Sequence, residues 1–243
     1  MPNKTVLITG AAGRIGAVIA RLLHAETMDI VIHYRHSAAG AAALVRELNQ
    51  IRPRSATAVQ ADLVKPGATT HIIASAVAFN NRLDVLINNA SSFYPTPVVT
   101  TTEEQWQDLI DTNMKAPFFL AQQAAPHLRT QSGCIINITD IHGQRPLRTY
   151  PVYSAAKAGL VMLTQALAKE LAPEIRVNGI APGAILWPEE LAQQVKDKIL
   201  SRTVLGYKGE PADIARAVKF LIEDADYMTG QILTIDGGRS LFS

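Results

Sequence analysis

Tyr153 and Lys157 lie four residues apart in the run Tyr153-Ser154-Ala155-Ala156-Lys157, which opens an apolar stretch ending at Leu171. On a helix that spacing stacks the two side chains on one face, a phenol beside an ammonium. Upstream, Ile135-Ile136-Asn137-Ile138-Thr139-Asp140 is rich in β-branched residues and stops on a carboxylate, the pattern of a buried strand that ends at a site. A phenol, an ammonium and a carboxylate held together can store and pass a proton. The same residues also fit a packed tyrosine, a solvated lysine and a helix-capping aspartate. Spacing alone does not choose between these readings.

The elements that would position the three groups alternate along the chain. Short apolar strands are expected at Thr5–Thr9, Ile30–Tyr34, Ala56–Gln60, Val85–Asn88, Cys134–Ile138, Arg176–Ile180 and Ile232–Asp236. Helical patterns fall between them: from Gly10 to about Leu23, Ala38–Ile51, Gly67–Asn80, onward from Glu103, Tyr153–Leu171 and Ala212–Ile222. Strands apolar on both faces alternating with helices predict an α/β fold. Its form is a doubly wound parallel sheet of about seven strands with helices on both faces. No repeat or linker interrupts the chain, so residues 1–243 are read as a single domain.

The totals narrow the partners. Net charge is +2 with both signs scattered, which leaves no nucleic-acid or membrane footprint. The one cysteine, Cys134, sits in an apolar strand and excludes a disulfide framework, which fits a reducing compartment. Met1–Lys4 leads into the first strand without a signal or transit pattern, and no apolar run reaches the ~18–20 residues of a membrane span. The expectation is a cytoplasmic protein with a small-molecule substrate and no metal.

Thr9-Gly10-Ala11-Ala12-Gly13-Arg14-Ile15-Gly16 follows the first strand and opens a helix. Glycines there let the backbone approach a pyrophosphate, and the helix N-terminus supplies amide donors. At the end of the second strand, where an NAD site carries a carboxylate, this chain has His33-Tyr34-Arg35-His36-Ser37. Arg35, His36 and Ser37 suit the 2′-phosphate of NADP. Asp29 precedes the strand and lies at its wrong end. Asp62, after the third strand, either accepts from adenine or caps the next helix. Asn88-Asn89-Ala90, after the fourth, either fixes the turn or lines the cofactor.

Together these residues resemble the short-chain dehydrogenase/reductase family over essentially the whole chain. The resemblance rests on Thr9–Gly16, Asn88-Asn89-Ala90, Asn113, Tyr153 with Lys157, Pro182-Gly183 and Asp236-Gly237-Gly238. Two departures sharpen it. Arg14 stands where the family usually carries glycine, and Asp140 where it usually carries the catalytic serine. Both resemble pteridine reductases, as do Asn89–Pro97 and the His33–Ser37 run. Thr139-Asp140 and Ala181–Trp187 look like the bacterial members.

The resemblance implies a Rossmann-like fold and NADPH as cofactor. It implies cofactor contacts from Gly10, Gly13, Arg14, Ile15 and Gly16 in the turn, then Tyr34, Arg35, His36 and Ser37. Asp62, Leu63, Asn89, Ala90, Lys157, Pro182 and Gly183 complete the set. Hydride would reach a C=N bond of a pterin or 7,8-dihydropterin of the dihydrobiopterin, dihydromonapterin or dihydrofolate type, whether or not folates themselves are reduced, with Tyr153 giving the proton, Asp140 acting in relay and Asn113 positioning Lys157 through water. Lys157 is expected to lower the phenol's pKa from ~10 by ~3 units, which asks ~4 kcal/mol of nearby charge. Phe93 would stack on the pterin, Arg14 and Ser91 would hydrogen-bond it or the cofactor phosphate, and Leu186 and Trp187 would begin a substrate-covering segment at about 184–210. Tyr207 is a further candidate in that segment, and Trp187 also fits ordinary packing. Related reductases are commonly tetramers, which makes a homotetramer the expectation. Two rivals remain: a carbonyl reductase of the 3-oxoacyl-thioester type on the same scaffold, and an NADP-binding regulator without turnover.

Overall fold

The structure, a computed structural model, describes residues 3–187 and 192–242. Seven strands form one parallel sheet: β1 (Thr5–Ile8), β2 (Asp29–Tyr34), β3 (Ala56–Gln60), β4 (Val85–Asn88), β5 (Cys134–Ile138), β6 (Arg176–Pro182) and β7 (Ile232–Ile235). Their order is β3-β2-β1-β4-β5-β6-β7. The winding reverses between β1 and β4, where Ile8 pairs with Ile32 on one side and Ile87 on the other. In such sheets that switch point leaves a crevice beyond the carboxyl ends of the strands. The expected Rossmann-like fold is present.

The helices are α1 (Arg14–Ala25), α2 (Ala38–Ile51), α3 (Ala68–Asn80), α4 (Glu103–Ile110), α5 (Ala116–Arg129), α6 (Pro151–Leu171), α7 (Gln193–Leu200) and α8 (Pro211–Glu223). Successive strand residues point to opposite faces. Val6, Ile8, Ile30, Ile32, Val85 and Ile87 join one core with residues of α1, α2 and α8. Leu7, Val31, Leu86, Ile135 and Val177 join another with residues of α3, α5 and α6. Both faces of every central strand are covered, which is why their sequences read as unbroken apolar runs. Burying one such Leu or Ile contributes about 1.5–3 kcal/mol, so a charge at Ile8 or Leu86 would break the sheet at its centre.

The helix expected from Glu103 contains a π turn, Asp111–Lys115, between α4 and α5. Pro117 explains it: a proline has no N–H to give the carbonyl four residues back, which belongs to Asn113, so the ladder widens there. The turn buries Asn113 to 1% exposure. At the other end, Thr102 and Gln105 form a reciprocal capping box that fixes where α4 begins. No helix among the described residues is long and apolar enough to cross a membrane.

Candidate active site

The carboxyl ends of the central strands open onto one cleft of about 800 Å³. Its floor is the glycine turn. Gly10 has φ +63°, and a Cβ there would lie 3.0 Å from the Cα of Ala90. A Cβ on Gly16 would come 2.7 Å from Asn89 Nδ2 and 2.8 Å from the Cα of Ala11. Gly13 is extended, and a Cβ on it would meet nothing, so its backbone faces open cleft. Asn89 holds the turn in place: its Nδ2 donates to Thr9 O at 2.8 Å and Gly10 O at 3.2 Å. Thr9 Oγ1 accepts in return from the N–H groups of Asn89 and Ala90, each at 2.9 Å.

His33 is the second support, and its role is not legible in the sequence. Its Nδ1 accepts the Gly10 N–H at 3.2 Å and its Nε2 lies 3.1 Å from Ala61 O, which assigns the proton to Nε2. The ring is 2% exposed, and burial pulls its pKa down to about 4. His33 thus belongs beneath the turn, whereas Arg35, His36 and Ser37 are exposed at the rim. Arg35 Nε donates to His36 at 2.7 Å and meets the carboxylates of Asp62 and Asp108 only at 3.8 and 3.9 Å. Ser37 caps α2 without a side-chain hydrogen bond, so its hydroxyl is unspent at a helix N-terminus. A cation, a free hydroxyl and that helix end fit a phosphate group. Asp62 accepts from Val64 N at 3.3 Å in a local turn and lines the cleft, while the cap of α3 is Gly67, so Asp62 does not cap that helix. Asp29, at the far end of β2, is taken up by Arg52 and Asn80.

β5 delivers Asp140 and α6 delivers Tyr153 and Lys157. Asp140 does two things at once. One carboxylate oxygen caps the short 3-10 turn Ile141–Gly143 through His142 N at 2.8 Å, and the other accepts from the Tyr153 phenol at 2.7 Å. Lys157 is 3% exposed and donates to Ile138 O at 2.9 Å, with Nζ 5.7 Å from the Tyr153 ring centre. The expected downward shift of the phenol is not found. Burial first, then the charge of Asp140, push the Tyr153 pKa well above its ordinary value. The physical reason is distance, since the carboxylate touches the phenol directly while the ammonium bonds a carbonyl instead. Burial brings Lys157 itself down to about 8.

Asn113 stands behind the cleft rather than in it. Its Oδ1 accepts from Ser91 Oγ at 2.6 Å, and its Nδ2 donates to Ser92 O and Leu109 O, each at 2.9 Å. These direct bonds anchor the segment carrying Ser91 and Phe93, and none reaches Lys157. Phe93 is half exposed and stacks on Tyr150 with ring centres 4.7 Å apart and planes 16° apart. Tyr153 meets Phe93 edge-on at 4.8 Å. Tyr150 is therefore a wall residue that sequence reasoning missed; its place just before Pro151, at the start of α6, is the available signal.

All other predicted site residues border this one cleft: Ile15, Tyr34, Leu63, Ala90, Pro182, Gly183, Leu186 and Trp187. Arg14 lines its mouth with φ +54°, a left-handed conformation for a residue with a Cβ. The expected covering segment contributes Ala184, Ile185, Leu186, Trp187, Val195 and Ile199, its residues 188–191 lying outside the described residues, and Arg239 joins the lining from the C-terminal turn. Tyr207 is exposed and is not among the lining residues. No cluster suited to a metal ion occurs among the described residues.

A parallel sheet with a glycine turn at its switch point, and a tyrosine, a lysine and a carboxylate beside it, defines an oxidoreductase built around a dinucleotide cleft. A family model described as enoyl-(acyl carrier protein) reductase (adh_short_C2) matches residues 10–240, and the chain belongs to that short-chain dehydrogenase/reductase family. Members of the family bind NAD(P)H. The open backbone at Gly13, the unspent Ser37 hydroxyl and Arg35 fit such a cofactor. The chain is 37% identical to a 3-oxoacyl-[acyl-carrier-protein] reductase from Staphylococcus epidermidis, over 97% of this chain and 98% of the relative. It is 36% identical to 3beta-hydroxysteroid dehydrogenase 1 from Eggerthella lenta, over 100% and 95%. It is 35% identical to pteridine reductase 1 from Leishmania tarentolae, over 97% and 96%.

Proposed function

We propose that the protein is an NADPH-dependent pteridine reductase that reduces a C=N bond of a pterin or 7,8-dihydropterin. The observation that carries this reading is the 2.7 Å contact between Asp140 and the Tyr153 phenol. An alcohol at that strand end can orient a carbonyl oxygen. A carboxylate can also carry a proton of its own and bond the amide edge of a pterin. Phe93 stacked on Tyr150 offers a flat aromatic wall for a conjugated ring. Arg14 supports the reading through its backbone: holding a residue with a Cβ in the left-handed region costs about 1–2 kcal/mol. Strain of that kind at a cleft mouth points to a ligand contact.

NADPH, bound along the glycine turn with its phosphate at Arg35, His36 and Ser37, would supply the hydride. The chain's own residues supply the proton. As the substrate carbon is reduced, its nitrogen takes the proton of the Tyr153 O–H. Asp140, which accepts the phenol's hydrogen bond, relays a proton from solvent to the phenol oxygen as that proton leaves. Burial and the charge of Asp140, which hold the phenol's pKa up, favour its return to the neutral form. Lys157 holds the strand end through Ile138 O and lines the cleft.

The 3-oxoacyl and hydroxysteroid relatives favour a second reading, reduction of a carbonyl. The test follows NADPH oxidation with dihydrobiopterin, dihydromonapterin, dihydrofolate and acetoacetyl-CoA side by side. Turnover of a dihydropterin supports the proposal, and turnover of the thioester alone rejects it.

A further inference from the structure

The last turn of the chain brings into the cleft an arginine that the proposed chemistry does not use. The Asp236 carboxylate accepts from Gly238 N at 2.8 Å and Ser240 N at 2.7 Å. Gly237 and Gly238 adopt φ +62° and +79°, and a Cβ on either would come 2.9 Å from Thr203 or 2.8 Å from Val204. Leu205 N donates to Gly237 O at 3.0 Å. The turn is thus clamped from both sides, and the backbone of the next residue, Arg239, has a fixed place.

Arg239 is partly buried and lines the same cleft as Asp140 and Tyr153. Its Nη1 donates to Ile199 O, in the last turn of α7, at 3.1 Å. A guanidinium has five N–H donors, and among the described residues no carboxylate forms an ion pair with this one. Burial and the neighbouring Arg202 both work against its charge. The indole N–H of Trp187, which lines the same cleft, is buried with no acceptor among the described residues. Behind that ring sits another cation, Lys196 Nζ, 5.7 Å from its centre. Donors and positive charge therefore collect at the covering end of the cleft, and the described residues supply them too few acceptors. Buried donors left in that state are costly. An acceptor-rich ligand group would resolve both.

We propose that Arg239 and Trp187 form a subsite for an anionic group, a carboxylate or a phosphate ester, on the side chain of the substrate. The preferred substrate is then an anionic pterin rather than a neutral one; this deepens the pteridine reductase reading and rests on it. Arg239 acts as a specificity residue, with no part in the proton step.

The experiment compares KM and kcat for dihydrobiopterin, which is neutral, with dihydrofolate, which ends in carboxylates, and dihydroneopterin monophosphate. Wild type, Arg239→Gln and Trp187→Phe are measured together. Charge-assisted hydrogen bonds predict that Arg239→Gln raises KM for the anionic substrates about 10- to 100-fold, with kcat and the neutral substrate changed less than about threefold. The carboxylate and phosphate arms say which anion is read. Trp187→Phe keeps the ring and removes the N–H, so it gives a smaller shift in the same direction without touching the link to α7. An equal change for neutral and anionic substrates in Arg239→Gln would mean that Arg239 only latches α7, and would overturn the subsite. If no pterin is turned over, the pterin reading fails separately. The same variants are then compared on acetoacetyl-CoA and the uncharged acetoacetyl-N-acetylcysteamine. A charge preference that Arg239→Gln abolishes there keeps the anion subsite, and its absence in both pairs removes it.

Discussion

Acidification is expected to loosen this protein through one buried histidine, and the size of the effect follows from the geometry. His33 accepts the Gly10 N–H through Nδ1 and faces Ala61 O through Nε2. Burial holds its folded-state pKa near 4, against an ordinary value of 6.5. Between those values the unfolded chain binds a proton that the folded chain does not, so unfolding takes up a proton. The stabilisation is complete above pH 6.5, declines as pH falls through the window, and is gone below about 4. The gap corresponds to about 3 kcal/mol. The perturbation is His33→Asn, whose side-chain oxygen can still accept from Gly10 while nothing titrates. At pH 7 the variant is expected to be less stable by about 1–3 kcal/mol, because Ala61 O loses its donor. Urea unfolding at fixed protein concentration, repeated from pH 7 to pH 4, measures both proteins. Carboxylates and His24 contribute equally to the two curves, so their difference isolates His33. The curves should converge as pH falls. A constant gap across that range would refute the assignment of His33 as a neutral support for the glycine turn.

Tyr153→Phe removes the proposed proton donor while keeping the ring against Phe93. Turnover should fall about 10²–10⁴-fold, with NADPH affinity by fluorescence titration within a few-fold; undiminished turnover places the acid elsewhere. Asp140→Ser should cost pterin reduction about 10²-fold or more, since the relay loses its proton carrier, and full pterin activity in steady-state assays would remove the reason for preferring that substrate. Arg35→Asp replaces a cation with a carboxylate at the proposed phosphate corner. It should weaken NADPH about 10- to 100-fold while changing NADH little, and an unaltered ratio of the two affinities by titration would contradict the phosphate assignment.

The doubly wound parallel sheet and the positions of its seven strands were legible in the sequence because burial on both faces writes itself as continuous apolar runs, whereas the strand order came from the structure. The glycine turn was legible for a steric reason, since Gly10 and Gly16 have no room for a Cβ. Tyr153 and Lys157 were legible as a pair because helical geometry is local. What the linear chain could not show is which group touches which. The sign of the shift at Tyr153 depends on whether the carboxylate or the ammonium lies nearer, and they come from different elements. Asn113 was expected to reach Lys157 through water; what the sequence did not show is that its direct bonds go to Ser91, Ser92 and Leu109 from the π turn over Pro117. His33 stood in the sequence only as the first residue of the His33–Ser37 run; it lies within β2, buried beneath Gly10, whereas Arg35 lies past the strand's last residue, Tyr34, at the rim. Arg239 is separated from Asp140 by about a hundred residues, and only the closing of β7 against β6 brings its charge to the cleft. Residue types and local spacing, fixed by the sequence, named the chemistry available. Distances between elements far apart in the chain, set only by tertiary packing, decided which charges act on the phenol and which donors face the substrate.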